Sequence, residues 1–428
     1  MAKILRLTAR EVLDSRGDPT VEAELVLEGG FFGRASVPSG ASVGKHEAVE
    51  IRDGGHRYGG KGVLGAVENV KKTIALSVVG NEFSQAEFDR ALIELDGTED
   101  KSRLGTNAIL AASLAFAKAS AQSEASALYA YFASISKLGT EKKILPVPMM
   151  NILNGGKHAR GSTDIQECMI VPAGAPSFKE ALRYGAEVFH TLKGILENRG
   201  LNTALGDEGG YAPQLAGNEA ALELILEAVE KSGYRPGKDI YLAIDAAASQ
   251  FFENGKYNLY KEGEALDAQG MIDLYAGWAD KYPLISIEDG LAEDDFDGFA
   301  ALTMKLGKRI QIVGDDLFAT NFRRLQKGIE AHAANAILIK LNQIGTVSET
   351  IDVVKGAYKS GFKCIVSHRS GETEDFYISD FAVGLGTGLI KTGSLSRGER
   401  TAKYNRLLRI EEGLGETAYF PGIKAFSR

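Results

Sequence analysis

The chain has 428 residues, 44% of them hydrophobic and 25% charged, with a net charge of −8, which suits a soluble globular enzyme of two or three domains. The acidic surplus speaks against nucleic acid or a membrane surface as the main partner, and no run of about 18 apolar residues exists to span a bilayer. Two distant cysteines, Cys168 and Cys364, give neither a metal spacing nor a disulfide framework and fit a reducing, cytoplasmic compartment.

The opening MAKILRLTAREVLDSRG becomes charged too early for a secretory signal. It alternates as a strand, and TVEAELVLEGG follows with Val21, Ala23, Leu25 and Leu27 on one face and Glu22, Glu24 and Glu28 on the other. Gly29-Gly30 marks a turn, and FFGRASVP resumes as a third strand of an antiparallel meander. Helical patterns cover 63–80, 86–97 and the Ala-rich 106–133, where NAILAASLAFAKASA predicts a small-residue helix packed in protein. Strands followed by helices make an α+β cap. The polar break SKLGTEKKILPVP sets the boundary, giving a cap of 1–138 and a second domain of 139–428.

The unit 146–213 is irregular, with Gly- and Asn-rich turns, a helix over 179–200 that ends on a Gly cap, and then TALGDEGGYAP. From Ile240 onward the pattern changes. Apolar runs finish in turn on Asp245, Glu288, Asp315, Lys340, His368–Ser370 and Lys391, at steps of 43, 27, 25, 28 and 23 residues. Such spacing fits a strand, a helix and two loops, and TVSETIDVVKGAYKSG between two of the runs carries helical periodicity with Ser348 as its expected cap. Parallel strands with chemistry at their C-terminal ends predict a (β/α) barrel with its active face at that end. Its first quarter would be irregular, and SLSRGERTAKYNRLLRIEEGLGE would close the wall as a helix.

Asp245, Glu288 and Asp315 would repel one another in a partly buried pit unless a cation sat among them, and an all-oxygen set points to Mg²⁺ or Mn²⁺. Taken singly, each acid could equally cap a helix or hold a salt bridge. Lys340 and Lys391 read as bases near a metal or as rim lysines. SHRSGETED offers Arg369 and hydroxyls for an anion, or merely helix caps in Ser370 and Thr373. The glycines of GDEGG (206–210) would let backbone and acids approach a ligand closely. SGASVGKHEA reads as a lid, a phosphate loop or a linker. Three motifs fail. The run Gly55 to Lys61 lacks the metal-binding hydroxyl of a phosphate loop, His46-Glu47 lacks its second His, and Gly384-Gly386-Gly388 lacks dinucleotide spacing.

At EVLDSRGDPTVE, SGASVG, PMMNILNGGKHA, GDEGGYAP, SIEDGLAEDD, GDDLFATN, KLNQIGT, SHRSGETED and IKTGSLSRGER the chain resembles the enolases, of bacterial type, over essentially its whole length. The resemblance implies an α/β protein, an α+β cap on a ββαα(βα)₆ TIM-like barrel. It implies a Mg²⁺-dependent hydro-lyase of glycolysis and gluconeogenesis that interconverts 2-phosphoglycerate and phosphoenolpyruvate. Carried over by motif, Asp245, Glu288 and Asp315 would hold one Mg²⁺, and Ser42 would help hold a second that arrives with substrate. Lys340 would abstract the proton, Glu208 would protonate the leaving hydroxyl, and Glu167 would assist, with His158 on a closing loop. Gln166, His368, Arg369, Ser370 and Lys391 would contact substrate together with Lys340. The family implies a homo-oligomer, dimer or octamer, in the cytoplasm, and admits a surface or secreted pool.

Val43, Gly161 and Cys168 depart from the family pattern and bear on lid kinetics rather than on the reaction. The alternatives are an enolase-fold scaffold or binding protein, and another superfamily enzyme acting on acid sugars.

Overall fold

The computed structural model describes residues 2–40, 44–138, 143–159 and 161–427. Its N-terminal meander is as the alternation requires: strands Ala2–Leu13, Pro19–Leu27 and Phe32–Ser36 pair antiparallel, and Glu82–Phe83 adds a short edge. Val21, Ala23, Leu25 and Leu27 are wholly buried. On the other face Glu24 accepts from Arg10 at 2.7 Å and from Arg34 at 2.9 Å, a cross-strand charge ladder. The helix Thr106–Ser123 lies against this sheet so closely that a Cβ on Gly33 would come within 1.9 Å of the Ala115 carbonyl. That is what its small residues permit.

Two helical readings need correction. The 106–133 pattern is two helices, Thr106–Ser123 and Leu128–Ser136, broken where Ala125 takes φ +49° and Ala127 is extended. The 63–80 pattern carries a π-helical stretch, Asn69–Ile74, between short α segments, so one extra residue is absorbed in mid-helix. The expected boundary after residue 138 adjoins 139–142, outside the described residues.

Eight strands close into a barrel in chain order: Val147–Asn154, Glu167–Val171, Tyr241–Asp245, Leu284–Glu288, Gln311–Gly314, Ala336–Ile339, Lys363–Ser367 and Gly388–Lys391. The second strand runs antiparallel to both neighbours and every other pairing is parallel. Two helices in succession, Phe178–Asn198 and Glu219–Lys231, come after it, and thereafter strands and helices alternate six times. The architecture is therefore ββαα(βα)₆. Val147, Met149, Met169, Val313, Leu338, Ile365 and Leu389 fill the barrel's inside, while a larger shell packs strands against helices. The long step before Glu288 is a three-stranded insertion spanning Phe252–Leu266.

The helix Val347–Lys359 is capped by Thr346, whose hydroxyl accepts from the Glu349 amide at 3.1 Å; Ser348, the expected cap, lies inside the first turn. Ser348 instead bonds Asp89 of the cap, so that position serves as a joint between domains. Among the described residues no helix is long and apolar enough to cross a membrane.

Candidate active site

The barrel delivers its chemistry at one mouth. Asp245, Glu288 and Lys391 end strands, Asp315, Lys340 and His368 stand one residue past strand ends, and Glu167 begins the reversed strand. Glu208 comes from the loop between the paired helices, and His158 and Gln166 from the loop joining the first two strands. All of these except Glu288, with Arg369 and Ser370, line one narrow cavity of about 40 Å³. Glu288 lies just beneath, wholly buried. Ser42 falls outside the described residues.

Two lysines stand among the acids. Lys391 Nζ is 3.0 Å from Asp245, 2.8 Å from Glu288 and 3.1 Å from Glu167. Burial works against its charge, but the three carboxylates hold the ammonium well above the usual lysine range. Lys340 Nζ grips Asp315 Oδ2. Burial lowers this ammonium and Asp315 raises it, and the net is upward, opposite to the expectation for a base. Asp315 is also held at 3.0 Å by Gln343 of KLNQ.

Glu167 and Glu208 form the second group. Burial, then the charge of Glu208, pushes Glu167 well up; burial also opposes Glu208, but the neighbouring His368, His158 and Arg400 outweigh it and bring Glu208 down. The pair therefore favours one shared proton, resting on Glu167. Asn151 donates to Glu208 Oε2 at 3.0 Å, and His158 Nδ1 lies 3.7 Å from Glu208 and 3.8 Å from Glu167 with no hydrogen-bond partner. Gln166 accepts from Gln250.

The GDEGG glycines make room for protein rather than ligand. A Cβ on Gly206 would lie 2.8 Å from the Asn154 side chain, and one on Gly210 2.5 Å from it. The caps considered for SHRSGETED are also absent, because the helix Tyr377–Leu385 starts later and neither Ser370 nor Thr373 caps it. Arg369 is buried, with its fork bidentate on Glu47 at 2.7 and 3.1 Å and a further bond to Asn342 at 3.0 Å. Cys168 is packed in the core, its thiol pushed up to about 12 by burial, and carries no chemistry.

Residues overlooked in the sequence complete the pit. Asp289 sits at φ +42°, a conformation costly for a non-glycine residue, and its carboxylate accepts the amides of Asp315 at 2.9 Å and Asp316 at 2.8 Å. Burial, then Asp315, raises Asp316 to about 7. The doubled acids of SIEDG and VGDD were the available signal.

Carboxylate oxygens of Asp289, Asp315 and Asp316 lie within 4.8 Å of one another, as do ligand atoms of His158, Glu167 and Glu208. Of the expected trio, Asp245 and Glu288 meet on Lys391, and Asp315 meets Lys340. The donor set nonetheless fits a hard divalent cation. It is entirely oxygen at the strand ends, mutually repelling, and Glu288 Oε2 is buried without a hydrogen-bond partner.

The family model described as "Enolase, N-terminal domain" matches residues 4–132, and that described as "Enolase, C-terminal TIM barrel domain" matches residues 142–428. With the reversed-strand barrel and its ring of acids and lysines at one mouth, these two matches account for nearly the whole chain, which belongs to the enolase family.

Proposed function

We propose that the protein catalyses the reversible dehydration of 2-phosphoglycerate to phosphoenolpyruvate. The observation that carries this reading is a single pit holding a lysine, Lys340, a pair of buried acids, Glu167 and Glu208, and a buried arginine, Arg369. Removing a proton α to a carboxylate and expelling hydroxide from the next carbon needs a base, an acid and neutralisation of growing negative charge. Lys340, once Asp315 turns from it toward a bound cation, is the base for the C2 proton, and Glu208, taking up the proton that rests on Glu167, supplies it as the C3 hydroxyl departs as water. Arg369 and Ser370 take the phosphate, and the fork of Arg369 exchanges part of its hold on Glu47 for substrate. Lys391, Gln166 and His368 orient the carboxylate and hydroxyl ends, and the His158 loop covers them.

Asp245, Glu288 and Asp315 would hold Mg²⁺, with Ser42 toward a second ion accompanying substrate. The chemistry such ions supply is neutralisation of the clustered acids and of the substrate carboxylate, the general enolase-superfamily pattern of a lysine base with divalent cations. On the same footing we assign the reaction to glycolysis and gluconeogenesis in the cytoplasm, by a homo-oligomer.

The test is ultraviolet absorbance of phosphoenolpyruvate formed from 2-phosphoglycerate with Mg²⁺, repeated in excess EDTA. Mg²⁺-dependent product is expected. Absence of product from folded, metal-binding protein would replace this reading with a scaffold or with another acid-sugar substrate.

A further inference from the structure

One cation reaches the pit from behind. Arg400, in the first turn of the helix Gly398–Leu414, is wholly buried and is the largest side chain so enclosed among the described residues. Its Nη1 donates to His368 Nδ1 at 2.7 Å and to the Arg369 carbonyl at 2.6 Å, and its Nη2 donates to the carbonyls of Asp207 at 3.1 Å and Ser370. These partners belong to the two segments that present Glu208 and Arg369. The approach depends on Gly393, where a Cβ would lie 2.8 Å from Arg400 Cδ, 2.9 Å from the Glu208 carbonyl and 3.1 Å from His368 Cε1.

A guanidinium has only donors and keeps its proton, so a nitrogen bonded to it must accept. His368 Nδ1 is therefore bare, and the proton of the neutral ring is on Nε2. Nε2 is buried without a hydrogen-bond partner and lies 3.4 Å from Glu208 Oε2, a contact that becomes a hydrogen bond when the pit tightens on substrate. Burial, with Arg400 set against the pull of Glu208, brings the ring down to about 4, in keeping with a neutral imidazole.

We infer that Arg400 is a positioning residue that locks His368 in its Nε2–H tautomer and aims that N–H at Glu208 Oε2. Oε2 then takes donors from both Asn151 and His368, which leaves Oε1 as the oxygen that takes up the proton from Glu167 and delivers it. Only the kinetic half of this inference rests on the dehydration proposed above.

Two-bond ¹H–¹⁵N spectra of histidine-labelled protein at near-neutral pH read the tautomer directly, with His368 assigned by the signal lost in His368→Gln. A bare Nδ1 and protonated Nε2 are expected. A protonated Nδ1, or an imidazolium, overturns the inference in the unaltered protein, whether or not any variant folds. In Arg400→Met the tautomer pattern should be lost and kcat for dehydration should fall about 10–100-fold, with KM changed less than about threefold. Arg400→Lys, which keeps the charge but not the fork, should restore little of it. Retention of both tautomer and kcat in folded Arg400→Met reduces Arg400 to a structural strut and overturns the inference. If the unaltered protein makes no phosphoenolpyruvate, the assigned reaction fails, while the spectrum still decides the tautomer.

Discussion

Two of the places where this molecule buries carboxylates do so in opposite ways. Asp89, between cap and barrel, is wholly enclosed and accepts from Ser113 Oγ at 2.6 Å, Gln85 at 3.0 Å, and the Ser348 amide and hydroxyl at 2.8 and 2.6 Å. Its four donors are neutral and fixed, so the group has nothing left to bind and works as a joint. In the pit, Glu288, Asp245 and Glu167 crowd around one ammonium, with Glu288 Oε2 and His158 Nδ1 lacking hydrogen-bond partners. A satisfied buried acid stabilises a fold, whereas an under-satisfied cluster is poised for a ligand.

The sharpest way to test this contrast is to remove one group from each place. Lys340→Ala should lower turnover by about 10²–10⁴-fold or more, with circular dichroism and Mg²⁺ binding by calorimetry near those of the parent. Full activity in that variant would sink the mechanism. Asp89→Ala should do the reverse, costing about 2–4 kcal/mol of stability in urea titration because buried donors lose their acceptor. Its KM and kcat, measured well below the melting temperature, should stay near the parent values.

A smaller effect probes the boundary between the two behaviours. His368 is held down to about 4, below the ordinary value near 6.5, so the unfolded chain takes up the proton first as pH falls. The stability tied to its neutral form is present above about pH 6.5 and is lost between there and about pH 4, up to about 3 kcal/mol. The urea midpoint should therefore fall less steeply from pH 7 to 5 in His368→Gln than in the parent. Equal slopes would show that the ring takes up its proton in the fold at the same pH as in the unfolded chain. Smallest is Thr346→Ala, expected to cost about 1 kcal/mol through loss of the cap beside Asp89. A change in kcat there would mean that the joint is coupled to the pit after all.

The barrel was legible because each of its later strands ends an apolar run on a charged residue at near-constant spacing. Asp245, Lys340 and Lys391 could be placed from that alone. Pairing partners were not legible, because they depend on which strand ends become neighbours. No local pattern says that Lys391 faces Glu288, or that the fork of Arg369 meets Glu47. Asp289 was passed over beside Glu288, since alternation would turn it away; the left-handed turn at φ +42° brings it back. Ser348 was a plausible cap by type, but Thr346 sits where the chain enters the helix. Arg400 gave no signal at all, being one cation in a charged helix whose buried face only the tertiary packing reveals.

The antiparallel second strand has a consequence for how many groups one barrel mouth can recruit. Where every strand points the same way, each repeat offers the mouth only the end of a strand and the loop leaving it. Reversal makes Glu167, at a strand's first position, a mouth residue. It also returns the chain to the far end at Val171, paired beside Tyr241 where the next strand begins, so the helix after it must climb rather than descend. Its partner then descends, and the bend between them, with Glu208, is added to the rim. The inversion of five residues thus supplies both members of the acid pair, positions that eight uniform repeats would have left at the opposite pole or on the outer wall.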